Sequence, residues 1–341
     1  MQTMRTEAEL EDELSRPSDA DIQALAELKG DLLILGVGGK MGPTLARLAR
    51  RASAAAGVRR RVIGAARFSS PGLREHLESQ DIETLACDLL DREQVGKLPD
   101  CPNVVYMIGQ KFGTSGAAAM TWAVNALAPA AAAERFRDSR IVSFSTGNVY
   151  PLTRVDSGGP NEDHPTGPVG EYAQSALARE RVFEYFSERN ATPTAILRLN
   201  YAVEPRYGVL RDVADRVSSG EPIDLSMGYA NVIWQRDASS VALRSFSHCA
   251  SPPFVLNLTG AETISIRQVA EAFGKHFGRE PVFTGAESET ALLNDARRCR
   301  EMFGPGEATL DEIIAAVADW TAQGGAGLGK PTHYEQRDGR F

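Results

Sequence analysis

The chain of 341 residues has 43% hydrophobic and 24% charged side chains, enough to bury a large core in two lobes or in one domain with an appendage. Its net charge of −8 argues against nucleic-acid binding, which needs clustered positive charge. The cysteines are scattered and the histidines lack the spacing of metal ligands, which argues against a disulfide framework and a metal site. The sequence has no apolar run of ~18–20 residues, which argues against a membrane span. We therefore expect a cytoplasmic protein with no metal, no nucleic-acid partner and no membrane partner.

The elements predicted up to residue 200 alternate between strands and helices. Residues 1–20 are predicted to form a poorly ordered acidic leader, and Ser18 to cap a short helix that stops at Gly30. A buried strand, a glycine-rich turn and an amphipathic helix follow in DLLILGVGGKMGPTLARLARRA. Further strands are predicted in RVIGAAR, IETLAC, NVVYMIG, RIVSFST and TAILRLN, mostly with helices between them. This alternation indicates an α/β fold with a doubly wound parallel sheet of the Rossmann type.

The second half is less regular and is predicted to form a smaller, mostly C-terminal lobe. Two of its segments, VIWQRDASSVALRSF and FVLNLTG, are expected to return to the main sheet, and the glycine-rich tail is expected to lie across the surface. The predicted organisation is a leader and short helix at 1–30, a Rossmann domain at 31–200 with 231–262, a smaller lobe at 201–230 and 263–325, and a tail at 326–341.

The turn after the first strand carries Gly36, Gly39 and Gly42 in the spacing G-x-x-G-x-x-G, with Lys40 and Met41 inside it. A dinucleotide pyrophosphate must approach the backbone at a helix N-terminus. Glycine lacks the Cβ that would block this approach, and the free N–H groups and helix dipole favour the anion. Because the pattern follows an apolar strand and opens a helix, it predicts dinucleotide binding, with a plain tight turn as the alternative.

The end of the second predicted strand, GAARFSS, bears on the choice between NADP and NAD. An acidic residue there would accept hydrogen bonds from the ribose 2′-hydroxyl, and Ala66 cannot. Arg67 with Ser69 and Ser70 could instead hold a 2′-phosphate. We favour NADP over NAD; the alternative is that Arg67 is only a surface arginine in a loop.

Several further motifs occur in the order of one known family. CDLLD, YMIGQKFGTSG, FSTGNVY, NEDHPTGPVGEY and RLNY with PRYGVL follow the glycine turn. Over residues 31–320 the chain resembles an extended short-chain dehydrogenase/reductase of the NAD-dependent epimerase/dehydratase family, with the family's threonine at Thr146 and its tyrosine at Tyr172. The segment around Lys111 resembles the corresponding loop of UDP-galactose 4-epimerases.

The resemblance implies hydride exchange between a nicotinamide cofactor and a carbohydrate-type substrate: a sugar, sugar acid or nucleotide sugar. It implies that Thr146 binds the reacting oxygen, that Tyr172 is the acid or base, and that Asp88 contacts the adenine. The predicted substrate-binding residues are Asn148, Asn200 and Tyr207, and the alternative for Tyr207 is a core aromatic side chain. The predicted cofactor-binding residues are Gly36, Gly39, Lys40, Met41, Gly42, Arg67, Asp88, Leu89, Gly109, Lys111, Asn125 and Tyr172.

Two departures from the family pattern bear on the chemistry. Family dehydratases have an Asp-Glu pair after the threonine; Gly147 and Asn148 stand there, which argues against sugar 4,6-dehydration. The family's Tyr-x-x-x-Lys lysine, which binds the ribose and lowers the tyrosine pKa, is replaced by Ala176. If that lysine supplies a shift of ~2–3 units from the free tyrosine pKa near 10, its loss costs roughly 3–4 kcal/mol.

Another cation could substitute for the missing lysine. Lys111, on the loop expected to face the nicotinamide, is our best candidate and is included among the catalytic residues; the alternative is that it contacts only cofactor phosphate or ribose. Arg179, seven residues after Tyr172, is predicted to be too far away to touch the ribose. Lys40 lies in the phosphate turn, and the remaining lysines are expected away from the motifs: Lys29, Lys97, Lys275 and Lys330.

Two hypotheses follow from these residues. The first is an NAD(P)-dependent oxidoreductase or epimerase with an atypical active site, for which a homodimer is a candidate assembly. The second is a non-catalytic NAD(P)-binding protein of the same fold with a regulatory or redox-sensing role. Retention of Thr146 with Tyr172 favours the enzyme, and Ala176 favours the sensor.

Overall fold

The predicted apolar strands form one parallel sheet in the computed structural model, which describes residues 3–111, 116–330 and 332–340. The strands are β1 (Leu32–Leu35), β2 (Val62–Ala66), β3 (Glu83–Ala86), β4 (Asn103–Tyr106), β5 (Arg140–Thr146), β6 (Thr153–Arg154), β7 (Thr194–Leu199), β8 (Ala202–Val203), β9 (Ile223–Asp224), β10 (Tyr229–Ala230), β11 (Ile233–Trp234), β12 (Phe254–Leu258), β13 (Ile264–Ser265), β14 (Phe283–Thr284) and β15 (Thr290–Ala291). The sheet has the order β12-β7-β5-β4-β1-β2-β3, and all its pairs are parallel. This is the predicted doubly wound Rossmann arrangement.

Helices cover the sheet and build the second lobe. They are α1 (Glu7–Leu14), α2 (Asp19–Glu27), α3 (Gly42–Ala55), α4 (Leu73–Glu78), α5 (Arg92–Gly96), α6 (Ala118–Trp122), α7 (Ala128–Arg135), α8 (Gly170–Asn190), α9 (Val209–Ser219), α10 (Gln235–Arg244), α11 (Ile266–Phe277), α12 (Arg297–Phe303) and α13 (Leu310–Ala322). A π-helical turn, Ala123–Leu127, joins α6 to α7, and 3-10 turns span Gly147–Val149, Val155–Ser157 and Ser245–His248. Over the described ranges, no helix has both the length and the apolar character needed to cross a membrane.

Strand β1 shows how the sequence builds two cores. Successive strand residues point to opposite faces. Leu32 and Ile34 join the core covered by α2, α3 and α10, whereas Leu33 and Leu35 join the core formed with α7 and α8. A strand buried on both faces is a continuous apolar run, which explains the LLIL sequence.

The N-terminal segment is not a disordered leader, and that prediction was wrong. Thr6 and Glu9 form a capping box at the start of α1, and the helix buries Leu10 and Leu14 in the core of the second lobe. Ser18 caps α2 as predicted, in a second capping box. The acidic composition of the leader concealed a helix whose apolar residues recur four apart.

Two further predictions about the second half need correction. VIWQRDASSVALRSF does not return to the main sheet, because β11 pairs with β8 outside it and the rest forms α10. FVLNLTG does return, as the edge strand β12. The C-terminal tail lies on the surface only in part: residues 326–330 are exposed as predicted, whereas Thr332 and Tyr334 are buried in the protein.

A buried polar network joins β5, β7, α8 and β12. The Arg198 guanidinium forms an ion pair with the Glu180 carboxylate, with 2.8 Å between Nη2 and Oε2, and both side chains are buried. Ser145 Oγ donates to Glu180 Oε1, and Arg198 Nη1 donates to the Tyr150 hydroxyl at 2.6 Å. That hydroxyl donates in turn to Asn257 Oδ1 at 2.9 Å. The network therefore ties the end of β5 to the middle of α8.

We expect Arg198→Met to lower the free energy of unfolding by about 3–5 kcal/mol, because it leaves the Glu180 carboxylate buried without its partner. The control is Arg154→Met, which breaks an exposed ion pair with Asp156 and should cost no more than about 1 kcal/mol. Urea denaturation of both variants measures the difference. Equal losses would show that the buried pair contributes no more than an exposed one.

Candidate active site

The glycine turn leads from β1 into α3, and its glycines have different roles. Gly36 has φ +90° and a Cβ there would lie 2.5 Å from Ile108 Cγ1, while a Cβ on Gly42 would lie 2.2 Å from the Val37 carbonyl oxygen. These two glycines are required by packing. A Cβ on Gly39 would meet only the Gly36 carbonyl oxygen, at 3.3 Å, so Gly39 leaves open space beside the start of α3.

The start of α3 fits an anionic group. Met41 occupies the N-cap position and makes no side-chain capping hydrogen bond, and Pro43 follows within the first turn. The first backbone N–H groups of a helix have no intrahelical acceptor, and the helix dipole is positive there. Together with the space beside Gly39, this turn fits the pyrophosphate of a dinucleotide.

Three predicted cofactor residues lie along the adjacent strand ends. Arg67 is exposed directly after β2 and has no hydrogen-bond or ion-pair partner among the residues that the structure describes. Asp88 Oδ1 accepts a hydrogen bond from Leu90 N at 3.0 Å, and this bond stabilises the turn after β3. Leu89, between them, is buried. These residues border the sheet edge outside the main cavity.

A cavity of about 600 Å³ lies at the carboxyl ends of β1, β4, β5 and β7. In open parallel sheets this edge is where ligands bind. Of the predicted site residues, it brings together Gly39, Lys40, Met41, Gly109, Lys111, Thr146, Asn148, Tyr172, Asn200 and Tyr207. The phosphate turn and the threonine–tyrosine pair therefore face one space.

Thr146 is placed by the end of β5 and oriented by Asn148. Its Oγ1 accepts hydrogen bonds from Asn148 N at 3.2 Å and from Asn148 Nδ2 at 3.0 Å. Because Oγ1 is the acceptor in both bonds, the hydroxyl hydrogen stays available to donate toward the cavity. Thr146 can therefore donate a hydrogen bond to a ligand in the cavity.

Tyr172 lies in the first turn of α8 and faces the cavity. Burial is the main cause that raises the pKa of Tyr201 and of Tyr207, and the nearby Tyr172 adds to both shifts. Ala176 is fully buried, in an apolar cluster with Val149, Tyr150 and Leu177. Apolar side chains therefore pack tightly around position 176, where the family has its lysine.

Lysines supply positive charge in the cavity. Lys40 Nζ lies 3.3 Å from the centroid of the Tyr207 ring, and burial, followed by repulsion from Lys111 and Lys330, lowers the pKa of Lys40 to about 7. Lys111 Nζ donates to the Thr332 carbonyl oxygen at 3.1 Å, and burial lowers its pKa to about 8. Both ammonium groups would be stabilised by an anion.

Residues from the tail complete the cavity, and sequence reasoning missed them. Lys330, Thr332 and His333 line the same space, so the expectation that Lys330 lies away from the motifs was wrong. Thr332 is held in place because Asp212 Oδ2 accepts hydrogen bonds from its N–H and its hydroxyl. No periodic pattern in this glycine-rich tail pointed to the site, whereas Tyr201 could have been inferred from its place beside Asn200.

Asn125 and Asn200, two predicted binding residues, have structural contacts of their own. Asn125 is fully buried in the π-helical turn, where Oδ1 accepts from Gln110 N at 3.0 Å and Nδ2 donates to Ser175 Oγ at 2.9 Å. It thereby joins the loop after β4 to α8. Asn200 lines the cavity and donates through Nδ2 to the Leu292 carbonyl oxygen at 3.4 Å.

Arg179 also lines the cavity. Its Nη1 donates to the Ile108 carbonyl oxygen at 2.7 Å, and a Cβ on Gly109 would lie 2.6 Å from that nitrogen. Burial raises the pKa of Tyr106, and the guanidinium of Arg179 opposes that rise. A buried positive charge therefore stands at the end of β4.

Known structures share this architecture at low sequence identity. MoeE5 in complex with UDP-glucuronic acid and NAD is 20% identical with a TM-score of 0.71, over 86% of this chain and 100% of that one. A mutant of UDP-glucuronic acid 4-epimerase from Bacillus cereus, solved with a fluorinated UDP-sugar acid and NAD, is 17% identical with a TM-score of 0.71, over 86% and 99%. DesIV, a dTDP-glucose 4,6-dehydratase from Streptomyces venezuelae solved with NAD and TYD, is 16% identical with a TM-score of 0.71, over 86% and 97%. These similarities show the fold.

The family follows from the sequence itself. Comparison with functionally curated proteins finds no significant match. The model of the NAD dependent epimerase/dehydratase family matches residues 32–234, more than half of the chain. The protein belongs to the NAD dependent epimerase/dehydratase family.

Proposed function

We propose that the protein is an NAD(P)-dependent oxidoreductase or epimerase that acts on a nucleotide sugar or a related sugar or sugar acid. The observation that carries the proposal is the shared cavity: the phosphate turn at Gly39 and the pair Thr146 and Tyr172 face one space. A cofactor whose pyrophosphate lies at α3 could extend to that pair along the sheet edge. A bound nicotinamide would supply the acceptor and donor of hydride.

The residues around the pair suggest how the proton is moved. Thr146, whose Oγ1 is already an acceptor for Asn148, would donate its hydroxyl hydrogen to the substrate oxygen. Tyr172 would take the proton from the substrate hydroxyl or return it to the ketone. Lys111, in the wall of the same cavity, would supply the positive charge that favours the tyrosinate.

The charge of the cavity supports an anionic substrate. Three of the six lysines in the chain line it, although the chain carries a net charge of −8. The pyrophosphate of the cofactor would occupy the phosphate turn. The cavity has two further lysines beyond that turn, Lys111 and Lys330, and their positive charge could bind a second anion. The structural neighbours solved with UDP-glucuronic acid or a fluorinated UDP-sugar acid are consistent with a nucleotide sugar as that anion.

The non-catalytic alternative is favoured by one observation. Ala176 is buried among Val149, Tyr150 and Leu177, so no charged side chain at this helix position can act on the cofactor or on Tyr172. A protein that only senses NAD(P) would need neither Thr146 nor Tyr172 in the cavity, and both line it. We therefore favour the enzyme.

For the cofactor we propose NADP in preference to NAD. Arg67 follows β2 with an exposed side chain, and the described chain offers it no carboxylate partner. A ribose 2′-phosphate at this strand end would provide one. The family description names NAD, and the neighbours reported above were solved with NAD, so this preference is specific to the residues of this chain.

We expect Arg67→Ala to weaken NADP binding by roughly 1–3 kcal/mol, the size of a charge-assisted contact, and to spare NAD. Calorimetric titration of both cofactors into wild type and variant measures the change. Arg59→Ala, at an exposed position in the segment that precedes β2, is the control and should change neither affinity. Equal losses for NADP and NAD would show that Arg67 has no role in the choice.

We expect Ala176→Lys to shift the rising limb of the pH–rate profile for substrate oxidation to lower pH. The ammonium would stand one helical turn from Tyr172 and favour its ionised form. Ala176→Met, of similar length and without charge, is the control for crowding in the buried cluster. If Lys111 already performs this role, Lys111→Met alone should lower the rate ~10²-fold and Ala176→Lys should restore part of it. A profile that moves in none of these variants would contradict a charge-assisted tyrosine.

A further inference from the structure

Arg179 is a buried cation without a counter-ion among the described residues. It is 4% exposed, forms no ion pair within that part of the chain, and its Nε has no hydrogen-bond acceptor there. The Ile108 carbonyl oxygen is its acceptor, through Nη1. A guanidinium has five N–H donors, and burying an uncompensated charge is costly. The side chain therefore has donors and charge to offer a ligand in the cavity that it lines.

The order of the sheet indicates which part of a dinucleotide would lie beside Arg179. The glycine turn follows β1, Thr146 ends β5, and β4 lies between these two strands. Neighbouring strands are about 4.8 Å apart, so a cofactor that runs from the turn to Thr146 must cross the end of β4. Between the pyrophosphate and the nicotinamide a dinucleotide has one group, the nicotinamide-side ribose. Gly109, against which Arg179 lies, follows β4 at this crossing.

We propose that Arg179 binds the hydroxyl groups of the nicotinamide-side ribose, an assignment that rests on the proposed function. Long helical side chains lean toward the helix N-terminus, and the Arg179 guanidinium lies against Gly109. The Cα of Arg179 lies about 10 Å along the axis from that of Tyr172. In this assignment the residue that binds the ribose is not the residue whose charge acts on Tyr172. In this chain two side chains on different elements, Arg179 and Lys111, would divide these tasks.

Binding of cofactor fragments tests the assignment without turnover. ADP lacks the second ribose, ADP-ribose contains it, and NAD adds the nicotinamide. We expect Arg179→Met to weaken ADP-ribose and NAD binding by about tenfold or more, the effect of losing a hydrogen bond to a charged group, and to leave ADP binding unchanged. Calorimetric titration of each ligand gives the three affinities.

Three further variants complete the experiment. Arg181→Met, an exposed arginine of α8 paired with Glu184, should change none of the affinities. Gly39→Val, which puts a branched side chain beside the phosphates, should weaken all three ligands. Ala176→Lys combined with Arg179→Met should recover part of the ADP-ribose affinity, because it returns a cation to the same helix.

The outcomes separate the assignment from the proposed function. An unchanged ADP-ribose affinity in Arg179→Met would overturn the assignment, and so would an equal loss of ADP affinity, which would mark Arg179 as structural. Wild-type protein that binds none of the three ligands and does not bind NADP either would overturn the proposed function, and the assignment of Arg179 with it.

Discussion

The buried ion pair between Arg198 and Glu180 holds the two halves of the candidate active site together. Glu180 lies on α8, two turns beyond Tyr172, and it accepts a hydrogen bond from Ser145, the residue before Thr146. The free-energy cost of burying two charges is compensated only when all their hydrogen bonds are formed. Rotation or sliding of α8 against β5 would break these bonds, so the network fixes the tyrosine relative to the threonine. Tyr150 and Asn257 extend the constraint to the edge strand β12.

The distribution of charge distinguishes the cavity from the rest of the molecule. The chain is acidic as a whole, yet Lys40, Lys111, Lys330 and Arg179 line one space. Burial lowers the pKa of Lys40 to about 7 and of Lys111 to about 8, so each loses its charge as the pH rises through these values. An anionic ligand would stabilise the protonated forms, which means that ligand binding and proton uptake are coupled in this site.

Much of this arrangement could be predicted from the sequence. The apolar runs specify strands buried on both faces, and parallel strands bring Gly39, Thr146 and Tyr172 to one edge although they are far apart in the chain. The tail could not be predicted, because no periodic apolar face directs it: Thr332 is held by hydrogen bonds to Asp212, and Lys330 lines the cavity beside it. The place of Arg179 in the wall of the cavity could not be predicted for a related reason. Helical spacing gives the position of its Cα, while its reach depends on the space that glycine leaves at position 109.

Reduction of the bound nicotinamide is the most direct measurement of the central claim, that Tyr172 and Thr146 serve hydride transfer. Protein loaded with the oxidised cofactor would be mixed with a panel of UDP- and dTDP-sugars and sugar acids, and the absorbance of reduced nicotinamide followed in wild type and in Tyr172→Phe. The account predicts reduction by at least one of these compounds in wild type and a loss of ~10²-fold or more in the variant. Absence of reduction with every compound, or equal reduction by the two proteins, would contradict it.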